Sequence, residues 1–318
     1  MPSWGEILKE ISVELPTRPD AFDFVRRKYL SALSTYTGRS TILYATRWSQ
    51  DQQLDPALTS IGPEDVQGFM EVVHGLPANC GLDLILHSPG GSAEVTEAIV
   101  DYLRAKFTNI RVLIPQAAMS AATMLACAAN EIVMGKHSSL GPIDPQMIVN
   151  VPGSGRIAVP AQSVLDQFEL ASKAALNGQG APWYPILQMY GPALIVQCQN
   201  AIALASTLVA SWLERYMFAD DPNGADKAKA IAEYLADHGI HKTHSRFFSA
   251  ATAESIGLKV RSFESDQQLQ DLTLSVFHAA THTMSATPCV KIIENHLGRG
   301  FFKQHMTMQF APQIIQPG

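Results

Sequence analysis

An α/β fold built on a parallel sheet is predicted by two features of the sequence, and a third extends it. Between residues 40 and 150, short β-rich runs alternate with helical stretches. Turn residues stand at most of the junctions, the pattern of βαβ units. Beyond residue 160 the apolar spacing becomes helical, so a helical region is added to the sheet core.

Residues 21–34 place Phe22, Val25, Tyr29, Leu30 and Leu33 on one stripe and read as an entry helix. Thr41-Ile-Leu-Tyr-Ala-Thr follows Gly38 as a first strand. Pro63-Glu-Asp opens an amphipathic helix running to Val73. Leu82-Asp-Leu-Ile-Leu-His is the next strand and stops at Ser88-Pro89-Gly90-Gly91. Helix, strand, helix and strand then follow over residues 94–107, 110–115, 117–129 and 131–134. In the second half, residues 163–176, 187–219 and 226–237 read as helices, broken at Gly178-Gln-Gly-Ala-Pro and Asp221-Pro-Asn-Gly. A turn and helix return at residues 247–260, and the tail from Val290 is mixed. The expected organisation is an N-terminal helical segment (1–39), an α/β core (40–160), a helical region (161–240) and a returning core segment with a C-terminal tail (241–318).

With 318 residues, 47% of them hydrophobic, the chain can bury a large core. Charged residues make up 16%, the net charge is −6 and no basic run occurs, which argues against a nucleic-acid partner. Such sparse charge is common in subunits of homo-oligomers. The four cysteines show no paired spacing and read as free thiols of a reducing compartment. With no secretory signal at the N-terminus, a cytoplasmic location is expected. The weakly polar stretches 117–129 and 201–212 are too short to span a bilayer, so no transmembrane segment is expected. No metal-binding spacing and no cofactor loop occurs, so neither a metal nor a cofactor is expected.

Two features stand at ends of predicted parallel strands, where open α/β sheets place their sites. Ser88-Pro-Gly-Gly-Ser92 can present backbone N–H groups to a ligand without a Cβ in the way, although a plain strand-to-helix connector uses the same residues. Ser120, among small residues at a strand-to-helix junction, can sit where the N–H of Ala121 favours an oxyanion; the same serine could equally cap or pack. Gly91 and Ser120 stand 29 residues apart, with one helix and one strand between them.

In order, spacing and local chemistry these segments resemble Clp peptidases, which carry a Ser-Pro-Gly-Gly turn followed by a Gln-Ala-Ala-Ser nucleophile loop. Here Met119 stands between the alanine pair and Ser120. Three phrases are similar to the serine dehydrogenase proteinase family of the Clp/crotonase superfamily: Gly81-Leu-Asp-Leu-Ile-Leu-His-Ser-Pro-Gly-Gly, Ala118-Met-Ser-Ala-Ala-Thr-Met, and the stretch from Glu131 to Gln146. The resemblance implies a Clp/crotonase-like core, Ser120 as nucleophile, Gly91 and Ala121 as oxyanion donors, a peptide or protein substrate and a homo-oligomer.

A serine needs a base. Where Clp peptidases carry their histidine, this chain has Leu140-Gly-Pro-Ile-Asp-Pro-Gln, with Asp144 and no histidine. Two substitutes rank equally. Lys173 resembles the lysine of bacterial signal-peptide peptidases of this fold but could also be a solvated helix residue, and His244 falls in the stretch where the Clp triad acid would be. His137 and Asp144 flank the Gly141-Pro turn, the Asp as fit to brace it as to catalyse; His87, at a strand end, faces the site or packs. Two rival functions remain: a crotonase-type enzyme acting on acyl-thioesters without a serine nucleophile, and a non-catalytic scaffold that has lost its base.

Overall fold

The computed structural model describes residues 3–51, 54–151, 153 and 155–305. Its centre is a seven-stranded sheet in the order Val260–Ser262, Glu131–Met134, Ile110–Ile114, Leu82–His87, Ser40–Thr46, Cys289–Asn295, Gly300–Gln304. The first five are parallel; each of the last two pairs antiparallel with the strand before it. The register runs through Ser40↔Leu82, Leu82↔Ile110 and Arg111↔Glu131.

Both faces of the sheet are covered, and the alternation of side chains shows why its strands read as continuous apolar runs. Ile42, Tyr44, Leu84, Leu86, Val112, Ile114, Ile132 and Met134 fill one core, together with the helices Glu64–Val73, Ala93–Lys106, Ala121–Cys127 and Gly224–Ala236. Their neighbours Leu43, Ala45, Ile85, Leu113 and Val133 point the other way, to Leu30 and Leu33 of helix Ala21–Thr37 and Val276 and Ala280 of helix Gln267–Ala286. The entry helix ends at Gly38, whose φ of 66° is the left-handed cap glycine supplies.

Several elements differ from the sequence reading. The helix expected over 117–129 is only Ala121–Cys127, because Ala117–Ala118 forms a short strand with Ser139–Leu140, which in turn pairs with Phe248–Ser249. The helix expected over 187–219 begins at Leu194; Gly191-Pro192 interrupts it, and Ala193 takes φ 68° before the chain becomes helical. A π-helical stretch, Leu213–Met217, continues it. The run Leu194–Met217 is thus 24 residues long and apolar enough, by length and composition, to cross a bilayer. A hairpin, Gln146–Val151 with Gly155–Pro160, projects where the core was expected to end. The expected mixed tail supplies the strands Cys289–Asn295 and Gly300–Gln304 of the main sheet; its last residues, 306–318, lie outside the described residues.

Candidate active site

The site is built at the carboxyl end of Leu82–His87. Ser88 extends that strand and forms a parallel bridge with Ala118: its N–H donates to Ala117 O (3.1 Å) and its carbonyl accepts from Met119 N–H (3.0 Å). This pairing brings Ser120 against the glycine turn. A Cβ on Gly90 would stand 2.6 Å from Met119 O, 2.7 Å from Ser120 Cβ and 2.8 Å from Ala121 N, so only glycine fits. Gly91 is held from its other side by a parallel bridge to Ile61, whose N–H donates to Gly90 O (2.7 Å) and whose carbonyl accepts from Ser92 N–H (3.0 Å). The N–H of Gly91 takes no part in that bridge. Among the described residues, neither it nor the N–H of Ala121 has an intramolecular acceptor.

Ser120 has φ 51° and ψ −122°, a region that residues with a Cβ sparsely occupy. It precedes helix Ala121–Cys127, and its hydroxyl makes no capping bond. Thr123 braces the arrangement from below, donating to Ala118 O (2.8 Å) and accepting from Gly141 N–H (3.0 Å). Met119, the residue that departs from the Clp phrase, is buried and occupies the space that a side chain on Gly141 would need: a Cβ there would lie 2.4 Å from Met119 Cε.

Ser120, Ala121, Gly91 and His244 line one cleft of about 1300 Å³. Its far wall is helix Leu194–Trp212, through Gln197, Asn200 and Leu204, and its rim carries Met147 and Ile148 of the hairpin. His244 Nδ1 lies 2.7 Å from Asp144 Oδ1. Asp144, 2% exposed, places its other oxygen 2.9 Å from His238 Nδ1. Ile143 N–H donates to Leu235 O (2.9 Å), fixing this segment against helix Gly224–Ala236. Ser120 and His244 share the cleft without a direct hydrogen bond between them among the described residues.

The other candidates lie elsewhere. Lys173 is 65% exposed near the end of helix Ala161–Leu176, ion-paired to Glu169 at 2.5 Å and outside the cleft. His137 is exposed and lines a separate cavity with Trp48, Gln116 and Phe247. His87 is buried between Trp48 and Phe277, with Ser49 Oγ at 3.2 Å from its Nε2. Burial pushes its pKa down to about 3, so it stays neutral. Sequence reasoning missed two things: Asp144 as the partner of His244, and His238 as a second imidazole on the same carboxylate. No spacing signals either, since Asp144 and His244 lie 100 residues apart.

The chain is similar to several known proteins. Two uncharacterized proteins of Methanocaldococcus jannaschii are similar: one is 28% identical over 64% of this chain, the other 37% identical over 65% of it. The matches cover 62% and 61% of those relatives, so the chain spans about three fifths of their length. Among solved structures, a mutant form of the 1510-N membrane-bound stomatin-specific protease is similar at 16% identity and a TM-score of 0.34, over 60% of this chain and 68% of that one. The glycine turn, Ser120 and Asp144 fall inside the segment that a known sequence family matches, whereas His238 and His244 lie beyond it. Residues 26–172 of the chain match the family of ClpP-like SDH-type serine proteinases.

Proposed function

We propose that the protein is a serine peptidase in which Ser120 is the nucleophile, His244 the base and Asp144 the group that orients the base. The observation that carries this reading is Ser120 in a strained backbone conformation beside two unpartnered N–H groups, on a cleft shared with a carboxylate-bound imidazole. A carboxylate only accepts hydrogen bonds, so His244 Nδ1 carries the proton and Nε2 has a lone pair for the serine hydroxyl. Ser120 Oγ attacks the peptide carbonyl while its proton passes to Nε2. The N–H groups of Gly91 and Ala121 hold the tetrahedral oxyanion. Collapse of that intermediate expels the amine, which takes the proton from His244. Water, deprotonated by the same Nε2, then releases the acyl group and restores Ser120.

Lys173 is not retained as a candidate base. A lysine that works near neutrality must be desolvated, and this one is exposed and paired. The test is peptide hydrolysis by the purified wild-type protein and by Ser120→Ala, each with matched thermal unfolding. The variant is expected to be folded and inactive. Equal activity in both overturns the nucleophile; turnover of acyl-thioesters by both supports the crotonase-type reading, and inactivity of both supports the scaffold.

A further inference from the structure

We propose that His238 is a positioning residue for this reaction: it holds the second oxygen of Asp144 and thereby fixes the direction in which His244 presents Nε2 to the cleft. The proposal rests on the reading of Ser120 as nucleophile and His244 as base. Local structure brings the two imidazoles together. The one-turn helix His238–His241 is capped by Asp237, which accepts from Ile240 N–H (3.0 Å), and it ends at Lys242 with φ 64° and ψ −18°. That left-handed step turns the chain back, so that His244 reaches the carboxylate already engaged by His238. Asp144 Oδ1 then lies 2.7 Å from His244 Nδ1, and Oδ2 lies 2.9 Å from His238 Nδ1. Gln146 Nε2 adds only a long contact of 3.4 Å to Oδ2.

Because the carboxylate accepts, the neutral form of each ring carries its proton on Nδ1 and leaves Nε2 as an acceptor. For His244 that nitrogen serves Ser120. For His238 it meets Ser163 Oγ at 3.3 Å, and with the proton on Nδ1 the hydroxyl is the donor of that pair. With both oxygens held, Asp144 cannot pivot about its own side-chain bond. Without His238, the 2% exposed carboxylate would keep one firm partner, His244 itself, and the ring could swing with it. His238 does not line the cleft, so it is placed to act through Asp144 rather than by direct contact there.

The test uses the full chain with His238→Asn and His238→Gln, which place one amide group at two lengths. The Asn side chain returns an N–H donor to the position of Nδ1; Gln carries it past. A fluorophosphonate probe gives the maximal labelling rate of Ser120 and the probe concentration for half-maximal rate. The expected result is a near-wild-type rate for Asn and a loss of about 10-fold or more for Gln, with the half-saturating concentration unchanged in both. Equal maximal rates in the two variants overturn the proposal, and so does a change confined to the half-saturating concentration. Nitrogen NMR of the His244 ring supplies a readout independent of turnover: the Nδ1–H tautomer is expected in wild type and His238→Asn, and tautomer exchange in His238→Gln. If wild type itself resists the probe, the nucleophile reading fails, and the NMR comparison still decides the role of His238: an unchanged His244 ring in His238→Gln overturns it.

Discussion

Ser120 departs from ordinary backbone geometry, and its strain can be measured. At φ 51° and ψ −122° a Cβ is unfavourable whereas glycine is not. Ser120→Gly is therefore expected to be more stable than Ser120→Ala by about 1–3 kcal/mol in denaturant unfolding, although both lose the hydroxyl. Equal midpoints would mean that the backbone holds no strain there. His87 gives the molecule an acid-sensitive centre. Its pKa falls from 6.5 in an exposed imidazole to about 3 in the fold, and that of His278 falls to about 4, in both cases chiefly through burial. The unfolded chain binds these protons first, so the stability they contribute is complete above about pH 6.5 and is lost as the pH falls toward 3–4. Thermal unfolding midpoints should drop through that window, and His87→Phe should flatten the slope; an unaltered slope contradicts the assignment.

At the level of elements, the parallel strands were legible because both of their faces are buried, which leaves continuous apolar runs bounded by turn residues. The glycine turn and Ser120 were legible for a related reason: each closes such a run. Helix Trp4–Glu14 was overlooked although Ser3 and Glu6 form a capping box, a signal the sequence does carry. Helix Gln267–Ala286 is buried on most sides and so offers no clean amphipathic stripe. Beneath the glycine turn lies a polar cluster that no local pattern announces. Lys291, fully buried, reaches Asp65 at 2.7 Å and Ser60 O at 2.9 Å, while Asp65 accepts from Gly62 N–H and Tyr44 OH, both at 2.9 Å. The cluster holds the residues on either side of Ile61, and Ile61 pairs with the turn at Gly91. Lys291→Met leaves the Asp65 charge unpaired in the interior and is expected to cost about 3–5 kcal/mol in unfolding free energy. A cost under about 1 kcal/mol would show that the pair is dispensable. Gly91→Val would set its Cβ 2.3 Å from Ile61 O; a fall in turnover of about 10²–10³ is expected, and full turnover in a folded variant would reduce the turn to a connector.

For the whole molecule, the helical region and the hairpin carry exposed apolar side chains: Leu176 is 88% exposed, Tyr184 60%, Leu170 57%, Ile148 56% and Val196 53%. We propose that a second copy of the chain covers it. Light scattering should then report an oligomer, and Leu176→Asp with Val196→Asp should reduce its size; a wild-type monomer that partitions onto lipid vesicles would instead assign this face, with the apolar run Leu194–Met217, to a bilayer. The exposed face was not readable from spacing, and His244 was one of two candidate bases; its carboxylate neighbour Asp144 stands 100 residues away and meets it only in the folded chain. That meeting is the central claim, and labelling of Ser120 by a fluorophosphonate in the native assembly tests it most directly. His244→Ala is expected to lose labelling by about 10²-fold or more while Lys173→Ala keeps the wild-type rate. Full labelling in His244→Ala, or its loss in Lys173→Ala, would contradict the account.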